Sequence, residues 1–463
     1  MAGKVGLRNL GNSCFMNAGL QCLCHLEPLT EYFLSRGFEI ELSAAVGRGA
    51  RAGEETGHRT SEFCGHETNT TRGELSRAFA EIQRALWQAE QQVHNPWDLR
   101  KKLARVAPHL FESYEQQDVQ EFFAFCLDGL HEDLRRVAVP PPPATDEQLR
   151  EDEKLAENQS EEFAAALAWM RYLEHGSSFL VDLLQGQSRS SLVCSVCGHT
   201  SRRFEPFLYL SVPVTRRMSQ VTDAIKKYLE EELLCGDEQW YCSKCKAKVD
   251  ATKKIDLWKL PPVLVVHFKR FDFDPKTMRF EKTENRLSVK LSSLDLSEFC
   301  SSQQKDGAIY DVVCVANHLG PYGSGHYTAT CRVAGAWHHF DDERVTPLGG
   351  RSVVTKESYV IFLVRQSKAQ SDMPLHGRGR RRSATPQRTL FRRQTLSNPE
   401  DWPHEGPLVS AVMLAMGKRP ALGAPTPVLQ ELEPETRHHD NEADLSSETA
   451  QQRAVKGSTN PDD

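Results

Sequence analysis

Apolar residues in the first part of the chain recur at helical spacing. In CFMNAGLQCLCHL, Met16, Leu20 and Leu23 fall at i, i+4 and i+7. In QQDVQEFFAFCLDGLHEDL, Val119, Phe123, Cys126, Leu130 and Leu134 line one face in the same way. The second half changes period. SLVCSV, FLYLSVPV, PPVLVVHFKRFDF, IYDVVCVANHL, HYTATCRV and SYVIFLV are short, β-branched or aromatic, and bounded by turn residues. Helices first and strands later predict an α+β fold with a mainly antiparallel sheet.

Two polar stretches interrupt this pattern. Ala44 to Gly73 is rich in Gly, Thr and charge, and Ala138 to Glu162 opens with four consecutive prolines, which cannot continue a helix. Both are expected to be surface loops. Beyond Gln366 the apolar periodicity ends. His376 to Thr395 carries seven arginines and no acid, and Glu400 to Asp463 carries twelve acids against five Lys or Arg. This tail, residues 367–463, basic then acidic, is expected to be disordered.

Charge and cysteine usage narrow the class. The 463 residues carry a formal net charge of −6, which argues against a nucleic-acid binder. No apolar run approaches the ~20 residues of a membrane helix, and the N-terminus shows no apolar leader, so no membrane partner is expected. Thirteen cysteines, an odd count, read as reduced thiols and metal ligands rather than disulfides. The expected setting is intracellular, cytoplasmic and/or nuclear, not secreted.

Two groups of residues carry chemistry. Cys14 follows a Gly-Asn-Ser turn and opens an amphipathic run. Ser13 or Asn12 would cap a helix there, and the first-turn N–H groups favour a thiolate. A nucleophile, a metal ligand and a core thiol all fit that position. A nucleophile needs a base and an orienter. His326 follows Gly320, Gly323 and Gly325 and opens a strand, and Asp341 comes fifteen positions later, across an expected hairpin. Asn9 lies in the approach to the turn, within reach of a substrate held at the sulfur. The second group is two C-x-x-C pairs, Cys194/Cys197 and Cys242/Cys245, with 44 residues between them. Four thiolates suit one structural, tetrahedral Zn2+.

GLRNLGNSCFMNAGLQCL, YEQQDVQEFFAFCLDGLHEDL, the paired C-x-x-C knuckles, LPPVLVVHFKRF, GSGHYTATC and WHHFDDERVTPL occur in this order. Together, over about Lys4 to Arg365, the chain resembles the ubiquitin-specific proteases, papain-like cysteine deubiquitinases. The resemblance implies a right-hand architecture over residues 4–366. It would comprise a helical thumb (about 4–188), zinc-tipped β fingers (about 190–257) and an antiparallel β palm (about 258–366). It implies Cys14 as nucleophile, His326 as base, Asp341 as orienter, Asp342 as a second assisting acid and Asn9 as oxyanion donor. Asp118 would contact the basic, Gly-Gly-ending tail of the substrate. The glycine loop before His326 would be a mobile lid. The implied partners are ubiquitin and ubiquitinated proteins.

Three positions depart from the family pattern: Ser13 for the usual Thr, Phe15 for the usual Tyr, and Ser324 in the usual Gly-Gly-His. None removes a catalytic group, so activity is expected, with Phe15 and Ser324 expected to affect rate or lid mobility. A catalytically weak or silent ubiquitin-binding scaffold is the alternative, and it would need a lost triad member. In the tail, RRRS ending at Ser383 and RRQT ending at Thr395 suit basic-directed kinases, and Ser397 would suit phosphoserine-reading adaptors. The arginine run also fits a nuclear localisation signal.

Overall fold

The computed structural model describes residues 2–51, 58–60, 67–69, 71–113, 115–137, 141–142, 144–157, 159–276, 278–301 and 307–366. The tail from residue 367, with Ser383, Thr395 and Ser397, lies outside the described residues, as does much of the stretch from Ala44 to Gly73.

The first half is a helical layer. After a short strand β1 (Gly6–Leu7) come α1 (Cys14–Cys24), α2 (Glu27–Phe33) and α3 (Arg36–Arg51). Strands β2 (His58–Thr60) and β3 (Glu67–Asn69) pair with each other, and α4 (Glu74–Trp87) follows. Next are β4 (Val93–His94), which pairs with β1, then α5 (Trp97–Val106), α6 (Pro108–Phe111) and α7 (Val119–Asp133). The layer ends with α8 (Asp146–Glu157), α9 (Glu161–His175) and α10 (Phe179–Leu184). Helix α1 is buried on every side, more than the one apolar face its period predicts. Gly19 makes this possible, because a Cβ there would stand 2.3 Å from the Phe122 ring of α7.

The two polar stretches expected to be loops contain helix. Helix α3 runs on to Arg51, and α8 occupies residues 146–157. Ala and Arg in the first, and Gln, Leu, Arg, Glu and Lys in the second, are good helix formers. Their polarity places them on the surface without making them irregular. The four prolines come before α8 in the chain, and Pro140 and Pro143 lie outside the described residues.

The second half is β-rich. Strands β5 (Gly186–Cys194), β6 (Thr200–Phe207), β8 (Glu232–Leu234) and β11 (Ala251–Lys259) form an antiparallel sheet in the order β6-β5-β11-β8. A hairpin of β9 (Trp240–Cys242) and β10 (Ala247–Val249) carries the second C-x-x-C pair. The main sheet takes β7 (Leu210–Pro213), β12 (Val263–Lys269), β16 (Ile309–Leu319), β17 (His326–Val333), β18 (Ala336–Asp341), β19 (Arg344–Pro347) and β20 (Ser358–Arg365). Its order is β19-β18-β17-β16-β20-β12-β7, with β15 (Leu294–Asp295) on β16. Only the β12–β7 pair is parallel. Helix α11 (Val221–Tyr228) packs beside β7.

The central strands are continuous apolar runs because both faces of the sheet are covered. Val265, Val360 and Phe362 join the core shared with the helical layer. Leu264, Val266, Ile361 and Leu363 join a second core with α11 on the other face. The expected single strand through PPVLVVHFKRFDF breaks at Arg270, giving β12 and then a hairpin of β13 (Phe271–Asp274) and β14 (Arg279–Lys282). Arg270 is fully buried, and its guanidinium donates to the carbonyls of Ser358, Thr283 and Asn285. That clamp turns the chain out of the sheet. Among the described residues no helix is long and apolar enough to cross a membrane.

Candidate active site

The cleft lies where the N-terminus of α1 meets the ends of β17 and β18. Cys14 is the first residue of α1 and is buried. Ser13 occupies the N-cap position without capping. Its hydroxyl instead accepts from the Leu10 N–H at 2.7 Å and donates toward Asn9 Oδ1 at 3.3 Å. The serine thus shapes the turn before the cysteine and does not take up a first-turn N–H of α1.

His326 opens β17 and Asp341 closes β18, its neighbour in the sheet. The His326 Nε2 atom meets Asp341 Oδ1 at 2.6 Å. The Cys14 sulfur beside the ring is the largest influence raising the imidazole, to about 9; Asp341 adds to it, and burial opposes both. A carboxylate on Nε2 fixes the tautomer and leaves Nδ1 for the sulfur side.

Asp342 has a different set of partners. It sits at φ 47° in the turn after β18. Its Oδ2 accepts from Asn9 Nδ2 and its Oδ1 from Asn17 Nδ2, both at 2.7 Å. Its own carbonyl accepts from the Leu7 N–H at 2.8 Å. Asn9 Oδ1 accepts from the N–H groups of Gly11 and Ser13. The Asn9 carboxamide is therefore fixed in orientation, with one N–H committed to Asp342. Although His326, Asp341 and Asp342 bring their ligand atoms within 4.8 Å, these pairings join Asp341 to the imidazole and Asp342 to the Asn9 and Asn17 amides.

Asp118 caps α7, with Oδ1 accepting from the Gln120 N–H at 2.6 Å. Its Oδ2 accepts from the hydroxyls of Tyr359 at 2.7 Å and Tyr327 at 3.4 Å. Burial pushes this carboxyl up, and the four groups that donate to it, two hydroxyls and two backbone N–H groups, pull it down. Both oxygens thus have protein donors in the cleft wall.

The loop carrying His326 needs its glycines at defined places. Gly320, Gly323 and Gly325 take φ of 98°, 72° and 146°, and a Cβ on Gly325 would lie 2.2 Å from the Leu319 carbonyl oxygen. Ser324 has no positive φ, so serine there costs no backbone strain. Gln116 Nε2 donates to the Gly325 carbonyl at 2.8 Å. Phe15 is buried against Phe111 and Phe122.

The four cysteines meet far along the chain from this cleft. Cys194 and Cys245 sulfurs are 3.8 Å apart, and Cys197 and Cys242 sulfurs 3.7 Å apart. A tetrahedron with ~2.3 Å metal–sulfur bonds has edges of about 3.8 Å. In each pair the second cysteine's N–H donates to the first sulfur at 3.4 Å. The group is able to hold a metal ion.

The sequence reading missed Asn17, Gln116, Tyr327 and Tyr359. Asn17 had a local signal, a polar residue on the buried side of α1, but its partner Asp342 lies 325 residues away.

The family model for ubiquitin carboxyl-terminal hydrolase matches residues 5–363. The chain is 36% identical to ubiquitin carboxyl-terminal hydrolase 2 of Rattus norvegicus over 368 residues, covering 78% of this chain and 54% of that protein. Against ubiquitin carboxyl-terminal hydrolase 21 of Homo sapiens it is 33% identical over 378 residues, with 78% and 61% covered. The Gallus gallus hydrolase 2 is 36% identical, with 78% and 93% covered. The chain thus spans little more than half the length of several of these relatives. A SAGA Ubp8/Sgf11/Sus1/Sgf73 DUB module bound to ubiquitin aldehyde superposes with a TM-score of 0.53 at 22% identity, over 79% of this chain and 70% of that one, a likeness of fold. With a family model covering most of its length and relatives above 30% identity, the chain belongs to the ubiquitin carboxyl-terminal hydrolase family.

Proposed function

We propose that the protein is a thiol-dependent deubiquitinase, hydrolysing the isopeptide or peptide bond after the C-terminal glycine of ubiquitin. The observation that carries this reading is Cys14 at the head of a buried helix beside an imidazole that Asp341 holds by its far nitrogen. The Cys14 thiolate attacks the glycine carbonyl carbon, and the C–N bond breaks as the His326 imidazolium protonates the leaving amine. A thioester remains. Water, giving a proton to His326, then releases the ubiquitin carboxylate and the thiol. Asn9, oriented by Asp342, has its second N–H available for the oxyanion, a term worth about 3 kcal/mol in comparable sites. Asp118, with Tyr327 and Tyr359 around it, is assigned to the basic tail of the substrate.

The four-cysteine group is assigned one structural Zn2+. The support is the all-thiolate donor set, the edge lengths and the N–H···S bonds at both knuckles. The ion would tie the two hairpins together and takes no part in bond breaking. A nucleophilic thiol and four metal-ligating thiols also support a reducing compartment, cytoplasm and/or nucleus. Phosphoserine-reading adaptors at Ser397 remain a proposal from sequence alone.

The test is release of a fluorogenic amide from the ubiquitin C-terminus by wild type, Cys14→Ala and His326→Ala. Release by wild type alone is expected. A folded, metal-loaded wild type that binds ubiquitin without releasing the amide would overturn the enzyme reading in favour of a scaffold.

A further inference from the structure

One cation in the cleft wall has a role outside this scheme. Lys282 ends β14, and among the described residues no carboxylate pairs with it; nearby Glu284 is held by Lys356 at 3.0 Å. The Lys282 ammonium instead donates to the carbonyls of His318 at 2.6 Å and Gly320 at 3.2 Å, and to His318 Nδ1 at 3.1 Å. His318 ends the buried part of β16, and Gly320 is the first residue of the loop that delivers His326.

That loop is narrow at its neck. A Cβ on Gly320 would stand 3.0 Å from the Gly325 Cα, and one on Gly325 would stand 2.9 Å from His318 Nε2. So the His318 ring lies directly against the residue before His326. A donor on Nδ1 requires a neutral ring with its proton on Nε2, and burial with Lys282 pushes this histidine down to about 4. The hairpin touches the loop twice more. Phe280 stacks on Tyr322 at 4.1 Å, and Phe271 meets Tyr322 edge-on at 5.5 Å. Gln116 holds the other foot of the loop at Gly325.

We propose that Lys282 is a positioning residue: by clasping the neck of the glycine loop through His318 and Gly320, it sets the His326 ring against Cys14. The proposal rests on the reading of Cys14 and His326 as a nucleophile–base pair. The clasp acts on the chemistry and not on substrate capture, since its acceptors are loop carbonyls and a ring that faces the loop.

The experiment compares the full-length wild type, Lys282→Met and Lys282→Arg. It measures kcat and KM on the fluorogenic ubiquitin amide. Separately, with no ubiquitin present, it measures the iodoacetamide alkylation rate at Cys14 by mass spectrometry near pH 6.5. For Lys282→Met, kcat is expected to fall about 10-fold or more, because small misplacements of reacting groups are costly, with KM changed by less than about 2-fold. Alkylation should slow in parallel, and Lys282→Arg should recover much of it by donating to the same carbonyls. Unchanged kcat and alkylation, or a change confined to KM, would overturn the proposal. Were Lys282→Met to lose its cooperative melt, Lys282→Gln carries the same comparison. A wild type inert toward ubiquitin whose Cys14 alkylation still slows in Lys282→Met would refute the substrate reading and keep the clasp.

Discussion

At the scale of single residues, the cleft divides into a pair that handles protons and a pair that holds an amide. The Cys14 sulfur is the main influence raising His326 and Asp341 adds to it, so replacing Asp341 with Asn should lower the imidazole from about 9. The protonated ring, which in the proposed mechanism supplies the leaving-group proton, would then be lost at lower pH. The basic limb of kcat/KM against pH should move to lower pH, with a rate loss of about 10²-fold. A limb that stays in place would show that Asp341 does not set the ring. Asn9 and Asp342 act as a unit, so Asn9→Ala and Asp342→Ala should each lower kcat by about 10²-fold, with the double variant little worse than either. Additive losses would separate the two residues. That Cys14, His326 and Asp341 come together was legible because a turn, a glycine loop and a hairpin are local signals. Asn17 and Lys282 were not, because each acts on a partner brought near only by the fold.

At the scale of elements, helix ends show what local reading catches and misses. Asp118 at the start of α7 is a side-chain cap, while Ser13 holds the cap position of α1 and turns away. Helix α4 is capped from outside. Its N-cap, Gly73, has φ 84° and no side chain to offer. Asp133, at the far end of α7, accepts from the Gly73 N–H at 2.7 Å, the Ser76 N–H at 2.9 Å and the Thr71 hydroxyl. Asp133→Ala would leave these buried donors without an acceptor and should cost about 3 kcal/mol. Urea unfolding followed by circular dichroism checks this, and a loss under about 1 kcal/mol would show the cap is dispensable. No signal around residue 74 points to residue 133. The two polar stretches have the opposite cause: a polar surface helix has the composition of a loop, and only in α8 do the residue types as a whole favour helix.

At the scale of the whole molecule, the described residues include two large cores and a very small one. Cys14 and the helical layer share the first core, and α11 and the far face of the sheet share the second. The tip of the four-stranded sheet has only Cys194, Cys242 and Val249 buried together, with Trp240 and Cys245 against them. Three buried residues make a small core for two hairpins, and a metal held by the four cysteines would tie them together. The short β-branched and aromatic runs and the C-x-x-C spacing made this architecture readable. The division into cores was not, since it depends on which face of the sheet each residue meets. The separation of cores leads to a prediction. Stripping the metal with a strong chelator should disorder the tip and abolish hydrolysis of the ubiquitin amide. Cys14 alkylation by iodoacetamide should stay within about 2-fold of wild type, because the core that holds Cys14 contains none of the four ligands. Metal assay of the untreated chain should find one ion per chain, the number that four thiolates hold. Parallel loss of alkylation and hydrolysis would mean that the tip and the cleft fold as one cooperative unit. Retained hydrolysis would mean that substrate is held without the tip.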